Sequence, residues 1–588
     1  MSNLEKLRNI MKDENINYYI IPSSDFHQSE YVADYFKGRE FISGFTGSAG
    51  ILLVGLDDAF LWTDGRYFIQ AEKELEGSGI SLMKQRTPGY PSLEELIQKN
   101  IKENECLAFD GEVFSVNQYK TYLKIAKENK FNIKIDKDLL NSIWDFRPEL
   151  PKDKIFLHNE KYCGKSANEK LKEVRDYMKS KKVDNFILSS LDDIAWLCNI
   201  RGRDIKFNPV ALSYMIIKMD EAIIYIDSDK LDIEIIKKLN SEGIVIREYF
   251  SIFDDSKNIN GTLLIDENKL NAKVYKALSQ NIKIINEINI TTNLKAIKNS
   301  TEIANWEVSQ VRDGVAMVRF IKWLRENVGK EKISEISASE KLTSIRACGE
   351  NYVGDSFNTI AGYKEHAAMM HYSANKESDY ELKAEGMFLV DSGAQYFDGT
   401  TDITRTFILG DISSEEKRDY TLVLKGHIAL ATAKFLKGTA GVNLDVLARR
   451  PLWNYGIDYK CGTGHGVGFF LNVHEGPQGI RPEGNSVVLE PGMILTNEPG
   501  VYKKDKYGIR TENTLIVEKD FISEEFGEFY KFRTISYCPI DIRGIDVNLL
   551  DNEERKWIND YHKLVFDKLS PYLNEEEKEF LKEETRTI

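Results

Sequence analysis

The stretch FLVDSGAQYFDGTTDITRTF, residues 388–407, decides how the rest of the chain is read. Phe388, Leu389 and Val390 form the apolar run of a buried strand, and that run ends in Asp391. A second such run, Ile403 to Phe407, is entered through Asp402 after a turn rich in Gly and Asp. Two carboxylates at adjacent strand ends cost free energy unless something positive pairs with them. The arrangement returns further on. GMILTNEPGVY (492–502) sets Glu498 at a strand end, and GIRTENTLIVE (508–518) sets Glu512 on the next strand, with PGVYKKDKYG as the hairpin between them. Between the two pairs lies CGTGHGVGFFLNVHEGP (461–477), where His465 stands among glycines and His474 follows. Glycine there permits close backbone approach.

Singly, each of these acids reads best as a carboxylate capping a turn. His465, or His371 in MMHYSA, reads singly as an ordinary histidine. The combination is different: two carboxylate pairs with a glycine-embedded histidine between them are a ligand inventory for two hard divalent ions. Four carboxylates and one imidazole suit Mn(II) better than a Cys- and His-rich structural zinc site does.

The chain has 588 residues, too long for a single core, and its 42% hydrophobic and 29% charged residues are ordinary for a folded protein. A net charge of −14 argues against a nucleic-acid or anionic-membrane partner. The six cysteines contain no CxxC pair and fit a reducing compartment. The N-terminus has no apolar signal region, and no apolar run is long enough for a membrane span. These features predict a cytoplasmic protein.

The front half carries a short internal duplication. YYIIPSSD (18–25) is echoed by NFILSSLDD (185–193), and LDDAFLW (56–62) by MDEAIIY (219–225), in the same order and at similar separation. With helical stretches such as SLEELIQKNI between the strands, this predicts two α/β units of about 150 residues each. GFTGSAG (44–50) lacks the spacing of a phosphate loop and reads as a turn feeding a strand. Asn299 with Glu302 forms a capping pair, and Ile303, Trp306, Val311, Val315, Val318 and Ile321 recur at helical spacing behind it. A long helix therefore opens the next domain. Residues 350–540 read as short strands with Gly-rich turns, and the charged, helical stretch 550–588 reads as remote from the chemistry.

In this order, Asp391, Asp402, His465, Glu498 and Glu512 resemble the ligand set of the pita-bread dinuclear metallopeptidases of family M24. That family includes methionine aminopeptidases, prolidases and Xaa-Pro aminopeptidases. DSGAQYFDGTTDITRT, GTGHGVGFFLNVHEGP and GIRTEN, with FTGSAG, LWTDGRYF and NIRGRDIKFNPV in the front half, are most similar to the long, three-domain cytosolic Xaa-Pro aminopeptidases. The resemblance implies two creatinase-type α/β domains, residues 1–155 and 156–298. A pita-bread α+β catalytic domain, 299–588, with a helical C-terminal extension, would follow them. It further implies Asp402 and Glu512 bridging two metal ions, Asp391 completing one ion's ligands, and His465 and Glu498 completing the other's. The nucleophile would be a water or hydroxide held between the ions, with Glu498 taking its proton. His371 and His474 would polarise the scissile carbonyl and help protonate the leaving nitrogen, and Arg510 would orient a ligand carboxylate. The family favours manganese, with zinc or cobalt as alternatives, and a homodimer. Many members carry histidine where this chain has Cys461, which bears on the substrate pocket and leaves the ligand set intact. The expected activity is release of the first residue from peptides with proline second. A prolidase restricted to dipeptides is the alternative. A methionine aminopeptidase, a metal-free creatinase-type amidinohydrolase and a non-catalytic binding protein on the same fold fit less well.

Overall fold

A computed structural model describes residues 2–484 and 486–588. The chain divides into two compact units. One runs up to His158 and includes Lys165–Thr292; the other comprises Asn159–Gly164 and Asn293–Ile588.

The first unit contains two six-stranded sheets. In the first, β1 (Tyr18–Pro22), β2 (Ile51–Gly55), β3 (Ala59–Thr63), β4 (Ser81–Lys84), β5 (Cys106–Ala108) and β6 (Asn132–Lys134) lie in the order β4-β3-β2-β1-β5-β6. In the second, β7 (Asn185–Leu188), β8 (Tyr214–Lys218), β9 (Ala222–Tyr225), β10 (Ile244–Arg247), β11 (Thr262–Ile265) and β12 (Lys283–Asn286) lie in the order β10-β9-β8-β7-β11-β12. The pairing sense repeats as well. The founding strand of each sheet is antiparallel to the next strand and parallel to the fifth. The duplication legible in a few residues thus extends to a whole topology. GFTGSAG is a turn: Gly44, at φ +73°, closes the helix Gly38–Ser43, and Ile51 starts β2.

The second unit opens on the helix Ser300–Asn327. The Asn299 side chain accepts from the Glu302 N–H, and the Glu302 side chain returns to the Asn299 N–H, which satisfies two donors at the helix start. Trp306, Val315, Val318 and Ile321 are buried along it. The residues just before this helix already belong to the unit: Ala296 is buried in a core with Leu430, Leu444 and Leu495.

A three-stranded antiparallel sheet pairs Met387–Ser392 with Ile360–Tyr363 on one side and Ile403–Ile408 on the other. A six-stranded sheet carries, among others, the strands Gly464–Gly466, Ile494–Asn497 and Asn513–Ser523. The region 350–540, expected as strands and turns, also holds two long helices, Ser414–Ala431 and Gly441–Trp453. Ser414–Ala431 buries every residue from Asp419 to Leu424, so it lacks the one-sided apolar stripe by which a helix is recognised. Its start was legible: Ser413 and Glu416 form a capping box. The C-terminal stretch is helical as expected, over Asn552–Leu569 and Glu575–Glu584. Among the described residues, no helix is long and apolar enough to cross a membrane.

Candidate metal centre

Asp391 is the penultimate residue of the strand Met387–Ser392 and is paired with Thr404 on the neighbouring strand. Asp402 stands two residues before Thr404, so strand alternation carries it toward the same face as Asp391. In the other sheet, Asn497 pairs with Asn513, and beyond them Gly500–Lys503 pairs with Tyr507–Arg510 as a hairpin. Glu498 and Glu512 occupy the break between these two paired segments. Glu512 therefore lies past the end of Arg510's strand rather than on it. The sheets are stitched together here. The Glu512 N–H donates to the Thr404 carbonyl (3.2 Å), and Thr404 Oγ1 donates to Glu512 Oε2 (2.7 Å).

His465 is the middle residue of the strand Gly464–Gly466. A Cβ on Gly464 would fall 2.0 Å from the Thr496 carbonyl oxygen, and one on Gly466 would fall 2.3 Å from that of Glu475. Only glycine lets these strands close around the imidazole. His465 Nδ1 lies 2.9 Å from the Gly466 carbonyl oxygen, which can only accept, so Nδ1 carries the ring proton. Nε2 is then a lone pair, 3.4 Å from Asp402 Oδ2 and 3.5 Å from Glu498 Oε1. Asp402, His465 and Glu512 offer ligand atoms that all lie within 4.8 Å of one another. Glu498 joins the group through His465.

Asp391 uses one oxygen, Oδ2, which accepts from the Arg510 guanidinium at 2.6 Å. Its Oδ1 is buried with no hydrogen-bond partner. Burial first, and then the neighbouring carboxylates, push the Asp402 and Glu512 carboxyls well above the usual range. Burial lifts Glu498 to about 7 against the opposing pull of Arg510. Four acids gathered around one arginine lack positive charge. The orphaned oxygen of Asp391, an imidazole among the acids and an oxygen-rich donor set fit divalent cations.

Arg510 is 3% exposed and binds four partners. Besides Asp391, it donates to Tyr502 Oη (2.6 Å), Thr404 Oγ1 (3.2 Å) and the Met370 carbonyl (3.3 Å). The last contact holds the residue before His371. The ring of His474 is 4.3 Å from that of His465 and nearly perpendicular to it, and a protonated His474 would draw the Glu498 carboxyl down. Cys461 is half-buried, and its carbonyl accepts from Arg449 at 2.7 Å.

Several supporting residues carry no sequence signal of their own. Arg405, 1% exposed, donates to the Glu512 carbonyl (2.5 Å), to Asn513 Oδ1 (2.8 Å) and to the Tyr561 hydroxyl (2.9 Å). Tyr561 lies on the helix Asn552–Leu569, so the C-terminal stretch expected to be remote from the chemistry in fact buttresses the segment that carries Glu512. His427 links Asn497 and Asn513, the residues next to Glu498 and Glu512.

Residues 306–519 match metallopeptidase family M24, and 528–588 match the C-terminal region of that peptidase. Residues 3–135 and 146–302 each match a creatinase/prolidase N-terminal domain. Xaa-Pro aminopeptidase 1 of Dictyostelium discoideum is 40% identical over 97% of this chain and 93% of its own length. A probable Xaa-Pro aminopeptidase P of Coprinopsis cinerea is 39% identical over 100% of the chain and 98% of its own length. The crystal structure of X-prolyl aminopeptidase from Caenorhabditis elegans, described as a cytosolic enzyme with a di-nuclear active site, superposes with a TM-score of 0.95. It is 33% identical and covers 100% of this chain and 99% of its own. The Xaa-Pro dipeptidase of Bacillus anthracis, at 22% identity and a TM-score of 0.51, covers 64% of the chain and shares the fold alone. Matched along its whole length in sequence and structure, the chain belongs to metallopeptidase family M24 and, within it, to the Xaa-Pro aminopeptidases.

Proposed function

We propose that the enzyme removes the N-terminal residue from peptides whose second residue is proline, using two divalent ions held by Asp391, Asp402, His465, Glu498 and Glu512. The observation that carries this reading is the gathering of Asp402, Glu498 and Glu512 around His465, beside an Asp391 Oδ1 that is buried with no hydrogen-bond partner. Asp402 and Glu512, whose ligand atoms lie within 4.8 Å of each other and of His465, would serve both ions. The oxygen-rich set favours manganese over zinc or cobalt. When bound, the ions neutralise the carboxylates, acidify a water and draw charge from the scissile carbonyl.

The protein's own groups do the rest. Glu498, whose carboxyl is lifted to about 7 by burial, would accept the proton of the attacking water. An Xaa-Pro nitrogen has no hydrogen of its own, so it must gain a proton to leave as an amine. His474, packed against His465, and His371, on the facing loop, donate toward the carbonyl oxygen as it gains charge and return a proton to that nitrogen. Arg510 holds Asp391 in register. The segments 1–155 and 156–298 form the two front domains and 299–588 the catalytic one. The enzyme acts in the cytoplasm as a homodimer on peptides, with no nucleic-acid or membrane partner.

A substrate panel tests the reading. A tripeptide with proline second should lose its first residue, whereas the same peptide N-acetylated, or with alanine in place of proline, should resist. A prolidase would act well only on the dipeptide. Rapid cleavage of the acetylated or alanine peptide would overturn the assigned specificity.

A further inference from the structure

His371 lies in a long connection between the strands Ile360–Tyr363 and Met387–Ser392, most of it without regular structure beyond a short 3-10 turn at Lys364–Ala368. Backbone bonds hold such a segment at isolated points, as where the Glu335 N–H donates to the Tyr380 carbonyl (3.1 Å) and the Leu382 N–H to the Ile333 carbonyl (2.8 Å). One buried carboxylate gathers several more of its groups. Glu335, at the start of the helix Glu335–Ala347, is 0% exposed. Its Oε1 accepts from the Tyr363 N–H at 2.7 Å, and its Oε2 accepts from the Tyr380 N–H at 3.0 Å. The carboxylate therefore ties the two ends of the loop together. His366 Nδ1 lies 3.0 and 3.1 Å from its two oxygens, and the Tyr372 hydroxyl donates to Oε2 at 2.9 Å. The His366 ring stacks on Tyr380 at 3.8 Å and packs against Tyr372 at 4.5 Å, so the donors are held together as a group.

The neighbours of His371 show what this clamp controls. Tyr372, immediately after it, hangs from Glu335. Met370, immediately before it, gives its carbonyl to Arg510, which also holds Asp391. His371 is thus suspended between the candidate metal centre on one side and Glu335 on the other. We propose that Glu335 is a positioning residue for the reaction: it sets where the His371 imidazole stands relative to the metal ligands, without touching substrate itself. The inference rests on the role given to His371 above.

The test is a double-mutant cycle on the metal-loaded enzyme with an Xaa-Pro tripeptide. Glu335→Gln keeps the shape but has one accepting oxygen for the four donors. It should lower kcat by about ten- to a hundredfold, the range expected when a reacting group is displaced by about 1 Å, with a much smaller change in KM. Two metals per chain should remain bound. Tyr372→Phe removes one of the four donors to Glu335, together with the hydroxyl's contacts to Ser378 (3.0 and 3.1 Å), and should lower kcat less. In a His371→Ala background, either substitution should cost less than about twofold more, because the group it positions is gone. A merely structural glutamate would give multiplicative losses in that background, which would overturn the inference, as would an unchanged kcat in Glu335→Gln. If Glu335→Gln does not fold, Tyr372→Phe closes the same cycle. An unaltered kcat in His371→Ala would remove the role of His371 and this inference with it. A large loss in His371→Ala with independent effects at Glu335 would remove the inference alone.

Discussion

His427 offers a prediction whose size follows from its surroundings. It is 0% exposed on the helix Ser414–Ala431. Asn513 Nδ2 donates to its Nε2 at 3.1 Å, so Nδ1 carries the proton and donates to the Asn497 carbonyl at 3.1 Å. Asn497 Nδ2 returns a bond to the His427 carbonyl at 2.9 Å. The neutral ring thereby locks the strand pair that bears Glu498 and Glu512. Burial, with help from the Arg405 charge, pushes its pKa down from 6.5 to about 3. The unfolded chain therefore takes up a proton on this histidine before the folded one does. The contribution to stability is intact above about pH 6.5 and is lost progressively as pH falls toward 3. At about pH 5 the gap amounts to about 1.5 units, or about 2 kcal/mol at 1.36 kcal/mol per unit. His427→Gln places a neutral amide there at every pH. His562, held down to about 4 by burial, is present in both proteins and cancels. Denaturant unfolding of chelator-treated wild type and His427→Gln, at about pH 7.5 and about pH 5, reads the difference. The loss on acidification should be smaller in the variant by about 2 kcal/mol. Equal losses in the two proteins would refute the neutral, buried clamp.

Three further outcomes follow from the site. Glu498→Gln keeps a ligand oxygen and removes the base, so kcat should fall by about two orders of magnitude with metal content unchanged; a near-normal kcat would mean that another group takes the proton. Cys461→Ser should change kcat and KM by less than about threefold, since the residue lies outside the proposed ligand set and its backbone carbonyl keeps its bond from Arg449; complete loss with metal retained would point to a reactive thiol. Lys298 Nζ lies 2.5 Å from Glu475 Oε1, with Lys295 Nζ 3.4 Å from Oε2 and all three side chains almost fully buried. Glu475→Gln leaves both buried ammonium groups without their carboxylate and should therefore destabilise the second unit by about 3 kcal/mol, measured by denaturant unfolding, and an unchanged midpoint would contradict the pairing.

The proposed metal ligands stand out in the sequence because their chemistry is conspicuous in combination. Each acid that ends an apolar strand has an ordinary explanation singly, but two such pairs around a histidine bracketed by glycines point to a cation. The residues that hold them do not stand out. Arg405, His427 and Glu335 sit in ordinary helical or strand contexts, and their meaning comes from partners far away in the chain, such as Tyr561 for Arg405 and Tyr380 for Glu335. The front sheets show the same contrast. Apolar runs at Tyr18–Pro22 and Asn185–Leu188 announced strands, but only the pairing reveals that both found the same six-stranded order. The helix Ser414–Ala431 escaped detection because it is buried on most sides, and periodicity reports only a face in contrast with solvent.

The central claim is that hydrolysis of an Xaa-Pro bond depends on two ions held by five residues. Titrating Mn(II) into chelator-stripped enzyme, while following release of the first residue from a tripeptide with proline second, tests it directly. Activity should be absent at the start and should rise to a plateau at about two equivalents per chain. Full turnover in the stripped protein, or a plateau at a single equivalent, would contradict it.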